Sequence, residues 1–164
     1  MAPPSTVEFE GTPLKVSTET SGGNTFVTVT DLGKVVGQLP NIQNSHAVIA
    51  DDGTIYVSGI CGLCPGPDGK PAMVSGGPGP ETLRTMKLLE VMLRACGAGP
   101  EHVTMVHVYL VDNTDERFAA MNNAYLEYWG KRPRPGRITT GTSGLVLGAC
   151  VEIDLVAKIP ASKL

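Results

Sequence analysis

Apolar residues in the first third of the chain fall into short alternating runs, and further on they form longer stripes. Leu14-Lys15-Val16-Ser17, Phe26-Val27-Thr28-Val29-Thr30 and Val35-Val36-Gly37-Gln38 read as strands. Ser21-Gly22-Gly23-Asn24 between the first two reads as a hairpin turn, and Leu39-Pro40 closes the segment. Residues 1–12, poor in apolar side chains and bounded by Gly11 and Pro13, read as a flexible tail. Ala47-Val48-Ile49-Ala50 and Thr54-Ile55-Tyr56-Val57-Ser58 follow as two strands joined by Asp51-Asp52-Gly53, where Asp-Gly favours a tight hairpin. The Gly- and Pro-rich stretch from Cys61 to Gly79 reads as a loop, either a functional flap or plain surface slack.

The period then changes. Met86, Leu89, Leu93 and Cys96 form a stripe at helical spacing, opened by Pro80 and Glu81 and stopped by Gly97 and Gly99-Pro100. His102 to Val111 is a Val-rich strand with apolar residues on both faces: Thr104, Val106, Val108 and Leu110 on one, and Val103, Met105, His107, Tyr109 and Val111 on the other. Asn113-Thr114-Asp115-Glu116 caps a second helix whose Phe118, Met121, Tyr125 and Trp129 share a face. Both stripes read as core. The final strand alternates strictly, with Val151, Ile153 and Leu155 on one side and Cys150, Glu152 and Asp154 on the other.

This order predicts an α+β chain: a single sheet with two helices packed on one face. The long strand then has apolar groups left on the face the helices do not cover, which predicts a homo-oligomer with its sheets facing inward and its sites between subunits.

A length of 164 residues suits one domain with a sizeable core. A formal net charge of −3 offers no basic field for nucleic acid or an anionic membrane surface, and no apolar run reaches the roughly 18 residues of a membrane span. The acidic start, Met1 to Glu10, lacks the features of a leader, so a cytoplasmic protein is expected. Four cysteines make no disulfide framework. Cys61 and Cys64 form a C-x-x-C without a second ligand pair, followed by Pro65-Gly66-Pro67 where a redox helix would begin; they read as loop cysteines, with no metal expected. Gly76-Gly77-Pro78-Gly79 before a helix lacks the lysine and spacing of a phosphate loop.

The carboxylates of the last strand are either a solvated face or a site shared with Arg137, whose planar fork of donors suits a substrate carboxylate. Alone, Arg137 would pass for a surface residue beside Lys131, Arg132 and Arg134.

Ser45-His46-Ala47-Val48, Ile55-Tyr56-Val57-Ser58-Gly59, Ala95-Cys96-Gly97-Ala98, Val106 to Asp112 with Phe118-Ala119-Ala120-Met121-Asn122, Pro135-Gly136-Arg137 and Val151-Glu152-Ile153-Asp154 occur in this order. Together they resemble the Rid (YjgF-type) family of enamine/imine deaminases. The resemblance implies a chorismate-mutase-like fold over residues 44–160, with residues 1–43 an N-terminal extension that adds strands, covers the cleft or reaches a neighbour. It implies a homotrimer and hydrolysis of 2-imino acids or enamines, such as 2-aminoacrylate, to keto acids without a cofactor. Arg137 matches the family's carboxylate-binding arginine and Glu152 its water-activating glutamate. Ser58 and Gly59 match the pair lining the pocket, with backbone near Ile138 completing the cradle. Asn44 stands where the family often has tyrosine, which alters the pocket wall. His46, His107 and Asp154 read as structural. The alternatives are a non-catalytic member binding a small carboxylate or a protein, or a related carbon–nitrogen hydrolase with a larger, aminomuconate-like substrate.

Overall fold

The computed structural model describes residues 2–38 and 44–159. The expected Leu39-Pro40 boundary and position 160 lie outside the described residues. The chain opens with strands β1 (Thr6–Phe9), β2 (Thr12–Ser21) and β3 (Asn24–Val29). Gly22 and Gly23 link the latter two with φ of 57° and 83°, the pair of positive angles that a two-residue hairpin turn with native twist requires. Helix α1 (Gly33–Val36) follows, then β4 (Ala47–Ile49), β5 (Thr54–Cys61) and a small hairpin of β6 (Leu63–Pro65) and β7 (Pro71–Met73). Helix α2 (Pro78–Ala95), β8 (Val103–Val111), helix α3 (Asp115–Trp129), β9 (Gly136–Thr142) and β10 (Val151–Lys158) complete it.

The main sheet has eight strands in the order β1-β2-β3-β4-β5-β10-β8-β9. Its pairs are antiparallel except β8 with β9, which are joined through α3 and run parallel. Alternation decides the faces. Val106, Val108 and Leu110 of β8 and Val151, Ile153, Leu155 and Ala157 of β10 are buried under α2 and α3, together with Met86, Leu89, Leu93, Met121 and Trp129 of the helices. Tyr56, Tyr109 and Ile138 are exposed on the opposite, bare face. Among the described residues no helix is long and apolar enough to cross a membrane.

Three expectations are corrected. The expected 1–12 tail is ordered over its described residues: β1 pairs with β2, and Phe9, 4% exposed, joins the common core. Its ring carries the Arg84 guanidinium 4.3 Å from its centroid, and Glu10 ion-pairs with Arg84 and Lys87 of α2. Val35-Val36-Gly37-Gln38 contains a helical turn instead of a strand. Both valines are buried, Gly37 ends the turn at φ 89°, and Arg84 Nη2 donates to the Val35 carbonyl at 2.6 Å, so tertiary burial overrides their β preference. The 61–79 stretch is folded in part, as β6 and β7.

Candidate functional site

Strand β10 carries Glu152 and Asp154 to the bare face, because their neighbours Val151, Ile153 and Leu155 are drawn into the core. Against Asp154, β5 sets two residues where a regular ladder has one. Ile153 pairs with Ile60 and Leu155 with Val57, so Ser58 and Gly59 form a β-bulge. A Cβ at Gly59 would stand 2.5 Å from Glu152 Oε1. The bare backbone there is what lets the carboxylate lie against β5. Ser58 Oγ donates to the Ser45 carbonyl at 2.7 Å, and Asn44 Nδ2 reaches Ser58 Oγ at 3.3 Å. Asn44, Ser58, Gly59 and Glu152 are thus gathered around one end of β5.

On the neighbouring strand, Tyr109 lies opposite Glu152 and His107 opposite Asp154. His107 Nδ1 is 2.6 Å from Asp154 Oδ1. Burial and the nearby Asp154 charge raise the Glu152 carboxyl above its ordinary 4.5. The Asp154 charge, followed by burial, raises the Tyr109 phenol.

Arg137 lies elsewhere. It pairs with Val106, whose side chain is in the core, so Arg137 projects to the helix side of edge strand β9. Its Cζ sits 4.6 Å from the Tyr125 ring centroid and 5.8 Å from that of Phe118. Stacking holds the guanidinium plane, while its donors meet no carboxylate among the described residues. Ile138, one residue on, faces the bare side opposite His107 and is 52% exposed. Within one chain, then, Arg137 and Glu152 lie on opposite sides of the sheet, separated by β8. Phe118, expected in the core, is 36% exposed; it sits at the start of α3 above the outermost strand, where no further strand covers it.

Two positioning groups escaped the sequence. Glu81, expected only to favour the positive end of α2, is 3% exposed, and its Oε2 accepts from Cys150 N at 2.7 Å and Val151 N at 3.2 Å. It fixes the start of β10 immediately before Glu152. Arg84 donates to the Leu63 and Val35 carbonyls. A charged residue within the first two turns of α2 is the sole local signal, and neither set of partners is near in sequence. His46, buried, accepts from Val29 N at 2.9 Å, a structural role, and burial lowers its proton affinity. Cys61 is buried beside Glu152; burial, then the Glu152 and Glu81 charges, push its thiol up to about 12. Among the described residues no three His, Cys, Asp or Glu side chains converge as a metal site would need. A groove of about 750 Å³ lies between β1 and α2, lined by none of Asn44, Ser58, Gly59, Arg137, Ile138 or Glu152, and its Lys87 and Arg94 are already paired with Glu10 and Glu90.

Sheet order, helix placement and the β5–β10 junction define a chorismate-mutase-like α+β protein. The family model described as Endoribonuclease L-PSP matches residues 37–159, and the chain belongs to that family, the Rid (YjgF-type) group. Protein DfrA of Myxococcus xanthus is 35% identical over 114 residues, 69% of this chain and 82% of that protein. A RutC family protein of Synechocystis is 30% identical over 115 residues, 70% of this chain and 85% of its own length. The crystal structure of YyfA, a Rid family protein of Yersinia pestis, superposes with a TM-score of 0.64 at 22% identity, covering 76% of this chain and 94% of that one, and shows the shared fold.

Proposed function

We propose that this protein hydrolyses reactive 2-imino acids and their enamine tautomers, of the 2-aminoacrylate kind, to keto acids and ammonia. The active unit in this reading is a cytoplasmic homotrimer whose sheets face inward. The observation that carries it is the division of labour between two groups. Glu152 is a partly buried carboxylate with raised proton affinity in the gap beside Gly59, and Arg137 keeps its donors open at the sheet edge. Groups on opposite sides of one chain meet when a second copy brings its β9 edge to the bare face of the first.

In that site Arg137 grips the substrate carboxylate bidentately and fixes its orientation. The protonated imine carbon is already electrophilic. Glu152 takes a proton from water, the water oxygen bonds to that carbon, and the C=N π pair passes to nitrogen. Glu152 then returns its proton to nitrogen; as the C–N bond breaks and ammonia leaves, the hydroxyl O–H passes its proton to Glu152 and the C=O forms, and ammonia takes that proton from Glu152 to depart as ammonium. No metal, cofactor or covalent nucleophile enters this scheme. Ser58, Gly59, Ile138 and Asn44 line the cradle. Asn44, small, exposed and turned onto Ser58, also suits a larger, aminomuconate-like substrate.

The test couples a pyridoxal-phosphate-dependent serine dehydratase to this protein and follows pyruvate formation from the released intermediate. Acceleration is expected. Arg137→Ala removes two charge-assisted hydrogen bonds of roughly 1.5–3 kcal/mol each, so kcat/KM is expected to fall at least about 100-fold. Absence of acceleration with imines from several amino acids rejects the enzyme reading in favour of a carboxylate- or protein-binding role on the same fold.

A further inference from the structure

The bare face holds a second set of groups that the proposed reaction does not use. Asp154 shares the face of Glu152 two residues along β10, and its Oδ1 is 2.6 Å from His107 Nδ1. Tyr109, opposite Glu152 on β8, shares this face. The His107 ring nitrogen holds the Asp154 carboxyl in place on this face. Glu152 has no side-chain hydrogen-bond partner among the described residues. The other titratable groups facing it are Cys61, its partner on β5, and Glu81 of α2 behind Cys61, and neither supplies a positive charge.

We infer that Asp154, held by His107 two residues from Glu152 on the same strand face, is a positioning residue whose carboxyl group tunes Glu152 as the base. This rests on the deaminase reading for its purpose, though not for its geometry. The physical logic is that of two carboxyl groups on one strand face, where a like charge nearby raises proton affinity. The burial-driven rise at Glu152, with Asp154 as the second cause, agrees. Such a base titrates closer to neutral pH, where proton abstraction from water is most effective.

Asp154→Asn keeps the shape and removes the charge. In protein labelled with ¹³C at glutamate and aspartate carboxyls, with Glu152→Gln to assign the resonance, the Glu152 midpoint is expected to move to lower pH in Asp154→Asn. The acid limb of kcat/KM is expected to move with it, while KM stays put. An unmoved Glu152 midpoint overturns the proposal. His107→Leu gives an independent arm should Asp154→Asn not fold: with Asp154 no longer held in place, the Glu152 midpoint is expected to move to lower pH, and an unmoved one overturns the proposal. A chain that hydrolyses no imine but still shows the Glu152 shift refutes the deaminase reading and leaves the coupling of the two carboxyls standing.

Discussion

Glu81→Ala tests how the start of β10 is held. One buried carboxylate oxygen accepts two backbone N–H groups, at 2.7 and 3.2 Å. Truncation leaves both donors without a partner in a site only 3% exposed at Glu81, and water cannot readily replace it. At roughly 1–3 kcal/mol for each stranded donor, the expected loss is about 2–6 kcal/mol of folding stability. For a chain of this size each kcal/mol corresponds to about 2–4 °C, so thermal unfolding is expected to fall by roughly 5–20 °C. Glu81→Gln keeps an acceptor in place and loses only the charge assistance, so its expected cost is a fraction of that. Calorimetry and urea titration measure both variants. A loss below about 1 kcal/mol for Glu81→Ala, within the range of ordinary substitutions, would refute the idea that this carboxylate anchors β10.

Glu152→Gln is expected to lower imine hydrolysis by about 10²- to 10⁴-fold in coupled assays. The same variant is expected to be more stable than the native protein at pH 7. The folded carboxyl has proton affinity above its ordinary 4.5, so its ionised form costs stability above the folded pKa, and that cost fades as pH falls. Melting curves of the two proteins should therefore converge below about pH 4, and a constant gap across pH would contradict the raised affinity. Phe9→Ala is expected to cost roughly 3–5 kcal/mol in urea unfolding, as for a core aromatic; a change under 1 kcal/mol would mean that β1 is held loosely.

Where alternation was strong, the sequence was legible. Val151, Ile153 and Leu155 set the face of β10, and with it the side on which Glu152 and Asp154 emerge. Met86, Leu89 and Leu93 likewise fixed the buried stripe of α2. Pattern failed where a single long-range contact decides. Thr6-Val7-Glu8-Phe9 is only four residues long, half of them polar, and becomes a strand through its pairing with β2 and the burial of Phe9. Val35 and Val36 carry a β preference, yet a helical turn buries both. Arg137-Ile138-Thr139-Thr140 has no clear apolar side, so the helix-facing orientation of Arg137 emerges only from its pairing with Val106 and its stacking on Tyr125. Gly59 and Glu152 were both identifiable as residues, but their meeting depends on a bulge that no local signal announces.

The chain order of the main sheet has a consequence for biosynthesis. β10 lies between β5 and β8, yet it follows every other strand of that sheet in sequence. During translation the two halves of the sheet emerge with an unfilled slot at their centre, and only the arrival of this segment joins them. Because Glu152 travels on it, a truncated or stalled nascent chain presents neither a finished hydrophobic interior nor this carboxylate.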